Sequence, residues 1–150
     1  GIVPFTGRDK LTGLTDWANA QPGEGREDLA VAVVTGVGGS GKTRLAAELC
    51  SNLEKNGWVA GFVPKTTRLG EAKLAWLTRV ESHLLLVLDY AEESHKEELA
   101  RLLRRLRERA APTRVVLTAR SAGAWLDDLL EDDVLSGAMA QGLFRVELPR

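Results

Sequence analysis

Between residues 29 and 148, short unbroken apolar runs alternate with segments in which apolar residues return every three or four positions. Leu29 to Thr35 (LAVAVVT) is continuous and rich in β-branched side chains, the pattern of a strand buried on both faces. From Lys42 to Lys55, Leu45, Leu49 and Leu53 share one helical stripe, and Asn56-Gly57 marks its end. Trp58 to Val63 predicts a second strand, stopped by Pro64. Residues 69–80 predict a helix with Leu74 and either Leu77 or Trp76 facing inward, and His83 to Leu88 a third strand. Glu92 to Ala110 reads as one long helix, with Leu99, Leu102, Leu103 and Leu106 at i, i+3, i+4 and i+7. Arg114 to Thr118, Ala122 to Leu130 and Leu143 to Leu148 then predict strand, helix and strand.

Ahead of this series, Leu11, Leu14 and Trp17 recur at helical spacing after an extended lead, and residues 21–28 (QPGEGRED) form a linker. Strands separated by helices need crossover connections. The expected fold class is therefore α/β: a three-layer core with a mostly parallel five-stranded sheet flanked by helices. Residues 1–28 form an N-terminal segment leading into residues 29–150, the core, within a single domain.

Composition narrows the possibilities. A chain of 150 residues, 44% apolar, suits one domain that buries roughly 70% of its unfolded surface. With 20 basic against 21 acidic side chains, no overall field draws in nucleic acid or anionic lipid. Cys50 stands alone, so it excludes an internal disulfide and reads as core filler. The longest aliphatic run, Leu84 to Leu88, is far below the ~20 residues that span a bilayer, and no signal-peptide pattern precedes it. The expectation is a cytoplasmic domain with no membrane partner. Arg101, Arg104, Arg105, Arg107 and Arg109 crowd one segment, but Glu97, Glu98 and Glu108 interleave with them. That mixture predicts a solvated or domain-docking face, with no direct contact to nucleic acid.

The chemistry lies in the turns. Gly36 to Thr43 (GVGGSGKT) fits G-x-x-x-x-G-K-[ST], a pattern that random placement of these residues would give roughly 0.006 times in such a chain. It follows a buried strand and opens a helix. A polyphosphate needs many donors converging on its oxygens, which consecutive backbone N–H groups and a helix N-terminus supply. Gly36, Gly38, Gly39, Ser40 and Gly41 keep this loop thin, with Arg44 just beyond it. Lys42 is placed for the β- and γ-phosphates, and the Thr43 hydroxyl for Mg²⁺.

Asp89 follows the third strand, where open α/β sheets place their ligands; it suits the magnesium shell, or else caps the next turn. Glu92, with Glu93 second, is the candidate to orient the attacking water, although acidic residues also favour any first helical turn. Arg120 ends the fourth strand and suits a γ-phosphate contact, or a surface pair with Asp127 or Asp128. Tyr90 is either a nucleotide-site residue or a structural one. His83 and His95 are too isolated from each other to suggest a metal centre.

Together these segments resemble the signal-transduction ATPases with numerous domains (STAND). The resemblance rests on Phe5-Thr6-Gly7-Arg8, the phosphate loop, Leu85 through Glu93, and Thr118-Ala119-Arg120, over about residues 3–149. Glu92 stands where the family pattern has aspartate. The resemblance implies ATP or ADP with Mg²⁺ as ligands, Arg8 beside base and ribose, and strand four between strands one and three. It also implies a regulatory switch that hydrolyses slowly, excised from a longer protein with effector and sensor domains and able to self-associate. Alternatives are a non-hydrolysing ADP/ATP scaffold and a small-molecule kinase. A kinase needs an arginine-bearing lid, yet residues 121–142 contain no arginine, and no N-K-x-D motif follows to read guanine.

Overall fold

The computed structural model of the chain describes residues 7–20, 28–63, 70–132 and 143–149. Helix α1 (Arg8–Asn19) leads to β1 (Leu29–Thr35), α2 (Lys42–Glu54), β2 (Val59–Val63), α3 (Glu71–Arg79) and β3 (Leu84–Leu88). After a short 3-10 turn (Ala91–Glu93) come α4 (Lys96–Arg107), β4 (Thr113–Ala119), α5 (Ala124–Leu130) and β5 (Phe144–Glu147). The five strands form one sheet in the order β2-β3-β4-β1-β5, and every pairing is parallel. The expected placement of β4 between β1 and β3 holds.

Burial explains the apolar runs. Every residue of β3 and β4 is buried, because these strands lie inside the sheet with helices on both faces. Leu84, Leu86 and Leu88 pack with α3, α4 and α5, whereas Leu85 and Val87 pack with α1 and α2. Helix α1 completes the second face through Leu14 and Ala18, and its Trp17 stacks on Phe144 with ring centroids 6.1 Å apart. The register aligns Thr35 with Ala119 and Leu88 with Leu117, so β1 and β4 end level and β3 two residues earlier, all at the C-terminal edge of the sheet. Gly36, Asp89 and Arg120 therefore emerge at the same edge of the sheet.

One element departs from the sequence reading. Glu92 to Ala110 is not a continuous helix: Ala91–Glu93 is a 3-10 turn, Ser94 is extended at φ −79° and ψ 148°, and α4 starts at Lys96. The leucine periodicity begins only at Leu99 and marks the packed turns, so it carries no information about the start. Tyr90, at φ 56°, reverses the chain out of β3 before any helix can form.

The arginines of this segment also divide. Arg101 and Arg105 both pair with Glu71 of α3, and Arg104 pairs with Asp132. The hydrogen bonds from Arg101 and Arg105 lower the pKa of the Glu71 carboxyl. Arg109 is no part of that face. It is 3% exposed, and it donates to Thr113 Oγ1 and to the carbonyls of Leu77, Val80 and Ser82, closing the C-terminal end of α3. Arg114, equally buried, donates to the carbonyls of Ala18, Ala20, Asp28 and Thr113 and ties the end of α1 to the sheet. A cation suits these helix ends, whose last carbonyls lack intrahelical partners. Burial lowers the pKa of both guanidinium groups.

Candidate functional site

Gly36 begins the loop, and its N–H donates to Ala119 O at 3.2 Å, which ties the loop to the end of β4. A side chain here has no room: a Cβ would lie 2.5 Å from Ser40 Oγ and 3.2 Å from Leu148 Cβ. Gly41 flanks α2 at φ 95°, a left-handed conformation that glycine adopts at little cost. The loop thus turns directly into the N-terminus of α2, whose first N–H groups lack intrahelical acceptors.

Lys42 folds back over this loop. Its ammonium donates to Gly36 O and, at 3.0 Å, to Val37 O, and the residue is only 8% exposed. Two of its three donors are held by the loop, which fixes the charge beside the backbone N–H groups. The Ser40 hydroxyl lies buried close to Gly36 and has no hydrogen-bond partner among the described residues, while its backbone N–H donates to Val37 O at 3.1 Å.

Across from the loop, Thr43 Oγ1 donates to Asp89 Oδ2 at 3.1 Å. The other carboxylate oxygen, Oδ1, accepts from Thr118 Oγ1 at 2.7 Å, and Thr118 in turn accepts from the Tyr90 N–H at 3.1 Å. A hydroxyl and a carboxylate from two elements form a hard-oxygen donor set, which suits Mg²⁺ with water completing the shell. These residues fit the metal that the phosphate loop implies.

A cleft of about 300 Å³ joins the parts, lined by Gly38, Gly39, Gly41, Lys42, Thr43 and Arg44 on one side and by Tyr90, Thr118 and Arg120 on the other. Arg120 is exposed and, among the described residues, makes no ion pair with Asp127 or Asp128. Its backbone N–H donates to Glu92 Oε2 at 3.2 Å. Glu92 is therefore next to the cleft without lining it. Arg8 lines a separate cleft of about 400 Å³ with Leu11, Thr12 and Glu48, one helical turn along α2 from Arg44. Phe5 and Thr6 lie outside the described residues.

Sequence reading missed Thr118 as a site residue. A threonine in a buried strand is ordinary by composition. Only the register that aligns β3 with β4 brings its hydroxyl to Asp89.

The family model described as novel STAND NTPase 5 matches residues 14–128. No curated protein matches the chain. Among solved structures, DnaI aligns at a TM-score of 0.62 with 17% identity, over 100% of this chain and 86% of that one. Drosophila ORC bound to DNA gives 0.70 and 17%, over 95% of this chain and 30% of that one. The Aeropyrum pernix Orc1 protein in complex with DNA gives 0.63 and 18%, over 99% and 46%. The chain thus spans less than half the length of the two ORC chains. At such identities these structures speak for the fold alone; the sequence match, extending over more than half of the residues, places the chain in the novel STAND NTPase 5 family.

Proposed function

We propose that the chain is an ATP- and ADP-binding module that hydrolyses ATP slowly and works as a nucleotide-dependent regulatory switch. The observation that carries this reading is the Thr43–Asp89 hydrogen bond beside a cleft lined by Lys42 and the phosphate loop. Lys42 supplies charge toward the β- and γ-phosphates. Thr43 and Asp89 would hold Mg²⁺, which when bound neutralises charge on the transferring phosphoryl group. Arg120 reaches the same cleft and suits detection of the γ-phosphate, with Arg8 serving base and ribose. Titration calorimetry of wild type and Lys42→Ala with ATP, ADP and GTP tests the reading. The expected result is ATP and ADP binding well above GTP, weakened by ~1.5–3 kcal/mol in the variant. Equal ATP affinity for the two proteins would sink the reading.

The placement of two side chains supports slow turnover. One carboxylate oxygen of Glu92 is occupied by the Arg120 backbone N–H, which leaves it less free to orient water. The exposed Arg120 side chain acts through solvent, where electrostatic contacts are weak. The same position of Glu92 favours a second reading, a scaffold that holds nucleotide without useful chemistry. Single-turnover comparison of wild type with Glu92→Gln separates the two: a scaffold gives equal, near-background rates.

The DNA in the ORC structures belongs to those complexes. Here Arg101, Arg104 and Arg105 pair with Glu71 and Asp132, and the ligand proposed for this chain is the nucleotide. Neighbouring effector and sensor domains, self-association and a cytoplasmic setting belong to the same proposal. No helix among the described residues is long and apolar enough to cross a membrane.

A further inference from the structure

Three consecutive residues at the end of β4 each hold a different part of the site. Thr118 Oγ1 donates to Asp89, the Ala119 carbonyl accepts from Gly36 of the phosphate loop, and the Arg120 N–H donates to Glu92. Thr118 occupies the inner position of the three. It is 1% exposed, and its hydroxyl makes two bonds, donating to Asp89 Oδ1 at 2.7 Å and accepting from Tyr90 N at 3.1 Å.

We infer that Thr118 is a positioning residue for divalent-cation binding: its hydroxyl fixes the rotation of the Asp89 carboxylate so that Oδ2 stays turned toward Thr43. The terminal torsion of an aspartate has a broad, shallow preference, so an untethered carboxylate samples many orientations. Anchoring Oδ1 leaves one oxygen directed at the Thr43 hydroxyl, where the cation's ligands converge. The bond from Tyr90 serves the same end. Tyr90 adopts φ 56° immediately after Asp89, an uncommon conformation for a non-glycine residue, and the Thr118 oxygen satisfies its N–H there. One hydroxyl therefore holds both the carboxylate and the backbone that carries it. A holding role of this kind supports a site by reducing the freedom lost when the ligand arrives.

The inference rests on the nucleotide reading above, and the test separates their failures. Thr118→Val keeps the β-branched shape and the strand preference but removes donor and acceptor; Thr118→Ser restores both. Calorimetry measures ATP affinity with Mg²⁺ and with EDTA, and circular dichroism melting checks that each variant is folded. The expected result is that Thr118→Val binds ATP about ten-fold or more weakly with Mg²⁺, stays within about two-fold of wild type in EDTA, and is rescued by Thr118→Ser. A Thr118→Val protein that loses equally in both conditions, or loses nothing, overturns the positioning role and leaves nucleotide binding intact. Wild-type protein that fails to bind ATP in either condition overturns the nucleotide reading and this inference with it.

Discussion

Thr43 and Asp89 are joined by a hydrogen bond of 3.1 Å, although 46 positions separate them in the chain. This contact links the first turn of α2 to the residue that follows β3. Asp89→Asn removes the negative charge and turns one of the two acceptor oxygens, which face Thr43 and Thr118, into an N–H donor. It should therefore weaken Mg-ATP binding by ~1.5–3 kcal/mol, while ADP binding in EDTA stays unchanged. Calorimetry under the two conditions checks this, and a variant that is equally tight with Mg²⁺ would remove Asp89 from the cation site.

Hydrolysis by the isolated chain should be slower than ~1 turnover per second. An arginine supplied from a neighbouring domain or subunit contributes 10³–10⁵ in comparable phosphoryl transfers, roughly 4–7 kcal/mol, so activity should rise on assembly. A steady-state phosphate-release assay measures it. A faster rate that disappears in Asp89→Ala would mean that the chain is a self-sufficient enzyme.

Arg114 should matter more to folding than its place in a strand suggests. Arg114→Met retains much of the side-chain length but removes the guanidinium bonds to four carbonyls, including those of Ala18 and Ala20 at the end of α1; the Asp28 carbonyl keeps the Thr113 N–H. The expected loss is ~2–4 kcal/mol in urea unfolding. A change under ~0.5 kcal/mol would show that α1 is held by apolar packing alone.

Cys50 supplies a pH test. Burial, with a smaller push from Glu54, raises its thiol from 9.0 to about 11. The unfolded chain ionises first. This group's contribution to stability is therefore complete below pH 9 and lost as pH rises toward 11. Chemical denaturation across that window should reveal a decline that is smaller in Cys50→Ala. At pH 8 the native thiol should react with aromatic disulfide reagents only as fast as the protein opens. Immediate labelling would contradict its burial.

Much of the site was legible because its chemistry is local. Eight consecutive residues, Gly36 to Thr43, carry the loop, and the aliphatic runs before Gly36 and Asp89 announce buried strands. Parallel order followed from the alternation of strands and helices. What escaped depends on long-range register or on single side chains. Thr118 became a site residue only through its alignment beside β3. Arg109 read as part of a solvated face and Arg114 only as the first residue of a strand, because nothing nearby in sequence reveals the helix ends that they close. The start of α4 was misplaced because Glu92 to His95 contain no apolar residue to report packing.

The strand order has a consequence for how the protein is made. β1, which delivers the phosphate loop, pairs only with β4 and β5, both of which are synthesised later. A chain still emerging from the ribosome cannot complete this pairing until Thr113–Ala119 are free, so β1 waits through the synthesis of α2, β2, α3, β3 and α4. Closing so long a loop is slow compared with forming a helix. Fragments that end before residue 113 should consequently expose LAVAVVT as an unpaired adhesive segment and depend on chaperones. Nucleotide capture then becomes a late event in biogenesis, available only once the central strand has threaded into place.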